Sequence, residues 1–168
     1  MIFRKLSNTS THNCFACSPH NPYGLHMELY TDENVVMSQI TLPEHFSSWA
    51  NVVHGGILAT LLDEIMGWAG LYLLRQITLT KKMTVEFSKA AYVGETLKVV
   101  GSLVSTNDKR NAEIEGVITR ENGDVCARSR GDFTILSSKL AVRLGIITDE
   151  QLHSFFEPLF QQIPGNHD

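Results

Sequence analysis

The chain has 168 residues and a mass of 18.8 kDa, which is room for one domain with an ordinary core and too little for a second full one. Its formal net charge is −4, and no run of Lys or Arg is long enough to track a phosphate backbone, which sets nucleic acid aside as a partner. The opening MIFRKLSNTSTHNC has two basic residues but no apolar segment after them, so no leader is read there, and a cytoplasmic protein with its three cysteines reduced is expected.

Residues 1–23 read as irregular: Ser, Thr, Asn, His, Pro19 and Pro22 occur with little periodicity. From Gly24 the pattern changes. GLHMELYT and NVVMSQITL are two β-prone runs joined by Asp32, Glu33 and Asn34, which predicts a hairpin. After the loop PEHFSSWAN comes a continuous apolar stretch that predicts one long helix over 56–74. It is nearly long enough to span a bilayer, but adjacent Asp63 and Glu64 sit in its middle. Each charge there costs about 2.5–3.5 kcal/mol on insertion, and no Lys/Arg cluster flanks the stretch, so a buried soluble helix is expected and no membrane partner.

Four strand-like runs follow: KMTVEFSKA, TLKVVGSLVST, NAEIEGVITR and DVCARSRGDFTIL, joined by the short, turn-rich YVGE, NDKR and ENGD. The tail, 139–168, holds Thr148 as an N-cap with Gln151 three residues on, predicting a short helix outside the core that ends at Pro158 or at Pro164-Gly165. Strand-strand-helix-strands order with short hairpins implies an α+β domain over 24–138 in which a curved antiparallel sheet wraps one long central helix, with a C-terminal helical extension.

A buried carboxylate asks for a reason, because leaving it unpartnered is costly. On a helical wheel Gly56, Ala59, Thr60, Gly67 and Gly70 fall within roughly 60° of Asp63, a stripe of small residues around one acid, while Leu58, Leu61, Leu62, Ile65 and Leu73 point mostly elsewhere. A bland account is an interface hydrogen bond with glycines for close packing. His54-Gly55-Gly56 weighs against it: the helix starts there, so unpaired N–H groups and the positive end of its dipole converge where a carbonyl oxygen can be polarised.

HGGILATLLDE resembles the signature of the hotdog-fold acyl-CoA thioesterases, particularly those similar to phenylacetyl-CoA and 4-hydroxybenzoyl-CoA thioesterases. CFACSPHNPYGLHMEL, TVEFSKAAYVGETL and SKLAVRLGIITDEQL extend the similarity over most of the chain. The resemblance implies hydrolysis of an acyl-CoA to a free acid and CoA, without metal or other cofactor, by a homodimer or dimer of dimers. In such a site Gly55, joined by Gly56, donates N–H to the thioester carbonyl. Asp63, nine residues after His54, acts as general base or nucleophile, and His54 positions the turn. The family usually takes the carboxylate and the turn from different subunits.

Where relatives often carry Asn or Gln six residues before the His, this chain has Ser48, with Asn51 nearby. Where many carry a small polar residue and then Pro after the helix, it has Lys89-Ala90, preceded by Ser88. Gly67 and Arg110 complete the expected substrate contacts. Ser48 keeps open a different class, a non-catalytic acyl-CoA-binding or regulatory hotdog domain. A hotdog dehydratase or hydratase uses a different His/Asp arrangement, and a structural interaction module needs no such carboxylate.

Other constellations are weaker. His12, Cys14, Cys17 and His20 spell H-x-C-x2-C-x2-H, but the spacing is compressed and no second ligand pair appears, so no metal is expected and the cysteines are read as packing. A redox CxxC lacks its usual βαβ context. Glu64, about 100° from Asp63, reads as structural, paired across a dimer. Lys109, Arg110, Arg128 and Arg130 could meet CoA phosphates but singly read as solvated, and Trp49 and Trp68 read as packing more than as pocket walls.

Overall fold

The structure is a computed structural model that describes residues 3–8 and 12–161. Its centre is the helix α1 (Gly55–Leu74). His54 caps its start in an extended conformation, and Arg75, left-handed at φ 53°, ends it. Leu61, Leu62, Ile65 and Met66 are fully buried. Removing each such side chain from water stabilises the fold by about 1.5–3 kcal/mol.

Among the described residues seven antiparallel strands form one sheet: β1 (Arg4–Lys5), β2 (Tyr30–Thr31), β3 (Val36–Thr41), β4 (Ile77–Phe87), β5 (Thr96–Asp108), β6 (Asn111–Arg120) and β7 (Val125–Leu136). Their order is β1-β2-β3-β5-β6-β7-β4. The sheet approaches α1 through two cross-strand partners without side chains, Gly101 and Gly116. A Cβ on Gly101 would lie 2.5 Å from the Ile65 carbonyl oxygen, and one on Gly116 would lie 3.0 Å from Leu62 Cδ2. The curved antiparallel sheet around a single helix is the hotdog arrangement the sequence implied.

Three expectations change. The helix begins at Gly55, one residue earlier than read. The YVGE connection does not close a hairpin, because β4 leaves the neighbourhood of β5 and pairs with β7 at the far side of the sheet; alternation tells which face of a strand is covered and not which strand lies beside it. The tail is not outside the core. After α2 (Ser138–Arg143) come α3 (Asp149–Gln151), a π-helical turn Leu152–Phe156 and α4 (Glu157–Gln161), and Leu152, Phe155 and Leu159 are buried with the central cluster.

The Thr148–Gln151 capping box forms as read. Pro158 does not end the helix: it lies inside α4, and the wider π turn just before it makes room for a ring that cannot donate to the ladder. Pro164-Gly165 lies outside the described residues. The irregular N-terminal segment contributes β1 and buries Leu6, Ala16 and Cys17, while GLHMELYT supplies only the two residues of β2, with Leu25, Met27 and Leu29 buried ahead of it.

Candidate active site

Asp63 stands midway along the small-residue face of α1, and its Oδ1 accepts a hydrogen bond of 2.7 Å from Thr80 Oγ1 in β4. Two residues earlier in the strand, Thr78 Oγ1 reaches the Gly67 carbonyl at 3.4 Å. The match is geometric: alternate strand residues are about 6.6 Å apart and helix residues four apart about 6 Å, so Thr78 and Thr80 face Gly67 and Asp63 in step. Immediately afterwards the β4–β7 register shifts between Thr80 and Lys82, and such a bulge bends the strand where it passes the carboxylate.

Asp63, Glu64, Gly67 and Trp68 form one wall of a cavity of about 330 Å³. Residues 77–80 of β4 form another, Ile147, Phe155 and Phe156 of the tail a third, and Cys14 and Cys17 close one end. A Cβ built on Gly67 meets nothing within 4 Å, so the cavity is open over it, whereas one on Gly70 would lie 2.8 Å from both Ile114 Cδ1 and Thr78 Oγ1. The small-residue face is therefore accessible at Asp63 and Gly67 and sealed at Gly70.

At the helix start His54 Nδ1 accepts the Gly56 N–H at 2.9 Å, and the His54 carbonyl takes the N–H groups of Ile57 and Leu58. This corrects the reading of Gly56, whose N–H caps the helix and is not turned to a substrate, and it makes the exposed His54 ring the cap. Gly55 N–H finds no acceptor among the described residues. At 1.5 Å of rise per residue the Gly55 N–H and Asp63 stand about 12 Å apart along one helix. That is too far for both to meet one thioester carbonyl within a single protomer.

The other expected contacts do not gather at Asp63, and none of them lines its cavity. Ser48 Oγ donates to the Val52 carbonyl, and Asn51 borders a separate hollow beside Val93 and Gly94. Ser88 N–H donates to the Cys126 carbonyl, and Lys89 Nζ pairs with Asp124 at 2.6 Å. Arg110 sits in the β5–β6 turn, its N–H on Asp108 and its carbonyl accepting from Ile135. Arg130 pairs with Glu113 at 3.0 Å, and Trp49 is exposed.

Sequence reasoning missed Thr80, whose place across from Asp63 follows only from the pairing of helix and strand, and it missed what surrounds Glu64. Within the chain, Glu64 Oε1 accepts from Trp68 Nε1 at 3.0 Å, and Cys14 Sγ lies 3.6 Å from both carboxylate oxygens. Burial, reinforced by charge on Cys14, pushes the Glu64 carboxyl up to about 7. A hydrogen bond with the Cys17 thiol, joined by the N–H groups of Cys17 and Ala16, holds Cys14 well below the usual thiol range, while the same bond and burial push Cys17 up. His12 does not join them. Its Nε2 is 2.8 Å from Asn8 Oδ1, and its Nδ1 accepts the Cys14 N–H. The signal in the sequence was CxxC alone; its third member comes from α1.

The family model for the thioesterase superfamily matches residues 50–127, the span from the loop before His54 to the first residues of β7. Among solved structures, a thioesterase superfamily protein, RHA08564, is 26% identical with a TM-score of 0.65, covering 69% of this chain and 57% of that one, so the chain spans little more than half its length. The PaaI protein of the E. coli phenylacetic acid degradation operon is 16% identical with a TM-score of 0.61, covering 67% of this chain and 81% of that one. A hypothetical thioesterase from Streptococcus pneumoniae, solved with coenzyme A, is 19% identical with a TM-score of 0.58, covering 62% and 80%. No curated protein matches the chain.

Proposed function

We propose, from the premise that this is a hotdog-fold chain carrying the thioesterase-superfamily core at residues 50–127, that it hydrolyses an acyl-CoA thioester to a free acid and CoA. The observation that carries the reading is the Asp63 carboxylate, held by Thr80 on an otherwise small-residue helix face at the wall of a largely apolar cavity. An acyl chain fits such walls, and the open stretch over Gly67 suits a narrow pantetheine arm. Coenzyme A bound to a structural relative of the same fold agrees with that class of ligand.

In the proposed reaction, Gly55 N–H polarises the thioester oxygen, and Asp63 takes a proton from water as the water attacks the carbonyl carbon; the carbon–sulfur bond then breaks, and Asp63 returns that proton to the leaving sulfur so that CoA departs as the thiol. Attack by Asp63 itself, followed by hydrolysis of the anhydride, gives the same products. Because Gly55 and Asp63 are about 12 Å apart on one helix, the reading pairs the turn of one protomer with the carboxylate of its partner. The partly exposed start of the small-residue face of α1 and the 11-residue β4 at the sheet edge, with Leu79 and Phe87 exposed, offer the surface for that pairing.

Thiol release from a panel of aromatic, short-chain and long-chain acyl-CoAs tests the reading. Asp63→Asn keeps shape and hydrogen bonding while removing the base, and is expected to lower turnover by about 10²–10⁴-fold with acyl-CoA binding retained. Saturable binding without turnover in the unmutated protein replaces the hydrolase with an acyl-CoA-binding domain. Unaltered turnover in Asp63→Asn removes Asp63 from the chemistry.

A further inference from the structure

We propose that Cys14, Cys17 and Glu64 form a binding site for one zinc ion, with the fourth coordination position opening on the cavity. This inference stands apart from the hydrolase reading and rests on no part of it. One ligand atom from each of the three residues, two sulfurs and a carboxylate oxygen, lies within 4.8 Å of the others. A tetrahedral zinc with sulfur at 2.3 Å and oxygen at 2.0 Å sets neighbouring sulfur and oxygen about 3.5 Å apart. Cys14 Sγ and the Glu64 oxygens are already 3.6 Å apart.

The surroundings suit a bound cation. Trp68 Nε1 orients the Glu64 carboxylate from behind at 3.0 Å. Among the described residues Glu64 forms no salt bridge with Lys, Arg or His, so a mostly buried carboxylate and two thiols share one spot without a cation. Two sulfurs in three ligands select zinc over calcium or magnesium, which take oxygen. The histidines of the sequence quartet are not needed: His12 has both ring nitrogens engaged, and His20 is exposed. Bound there, the ion ties the N-terminal segment to the middle of α1 and fixes one end of the cavity.

The test is metal content by mass spectrometry after reduction, chelation and reconstitution of the full chain with zinc, alongside the cobalt(II) form observed by absorption. One zinc per chain that survives desalting is expected, with a thiolate-to-cobalt band in the near ultraviolet. Cys14→Ser and Cys17→Ser should abolish the band, Glu64→Gln should weaken zinc binding by about 10–100-fold, and Cys126→Ser should change neither. A cobalt form without the thiolate band overturns the proposal, as does equal loss in Cys126→Ser. Thiol counting on protein kept from reductants that finds Cys14 and Cys17 joined as a disulfide, with no metal taken up after reduction, also overturns it. Should a cysteine variant fail to fold, the cobalt spectrum of the unmutated chain decides alone.

Discussion

Thr80 shows how much one hydroxyl can carry. Its hydrogen bond to Asp63 is charge-assisted, and such bonds contribute about 1.5–3 kcal/mol. Thr80→Val keeps the volume and the strand preference but loses this bond, so turnover should fall by about 10–100-fold and the melting temperature by a few degrees, measured by thiol release and thermal unfolding. Gly55 allows a cleaner deletion. It is the first helical residue, where Pro is well accommodated, and His54 before it is already extended at φ −62° and ψ 131°. Gly55→Pro therefore removes a single N–H without unravelling α1, and thiol release should drop about 10²–10³-fold with unchanged helix content by circular dichroism. At this scale Asp63 was legible because an acid in an apolar helix is conspicuous. Thr80 was not, since a threonine in a β-prone run looks like every other strand threonine.

For the elements, the contrast between Gly67 and Gly70 is the informative one. A methyl at 67 enters open space and one at 70 strikes Ile114 and Thr78. Gly67→Ala should stabilise the chain by up to about 1 kcal/mol through helix propensity yet impair acyl-CoA binding, whereas Gly70→Ala should destabilise by about 1–3 kcal/mol from overpacking. Denaturant unfolding and binding titrations on the two variants read out these opposite signs. The helix, its His-Gly-Gly start and five of the strands could be read from apolar periodicity, because periodicity follows which face is covered. The β4–β7 pairing and the docking of the tail could not, because both depend on contacts between segments far apart in the chain. ENGD and NDKR close true hairpins whereas YVGE closes none, which makes the same point: turn chemistry tells where a chain bends and not what it bends back upon.

For the whole molecule, the proposed sharing of each site between two protomers has a distinctive consequence. Asp63→Asn and Gly55→Pro homodimers should each be nearly inactive, but a mixture refolded together contains hybrids with one doubly altered site and one intact site. Random pairing then restores about a quarter of the unmutated activity. Recovery on mixing, measured by thiol release against the unmixed variants, supports the shared site, and its absence rejects it. The fold class was legible from element order alone, while Glu64 with Cys14 and Cys17 was not: a residue pair in an irregular segment and an acid in a helix meet only once the chain is folded.

The cavity takes its walls from Cys14 near one end of the described chain and from Phe155 and Phe156 near the other. A ribosome releases these segments at very different times. The sheet can close around α1 while the last helices are still unmade, leaving Asp63 over an open trough that holds no acyl chain. Docking of Phe155 and Phe156 is thus a later step than closure of the sheet, and it is the step that turns the trough over Asp63 into the proposed acyl chamber.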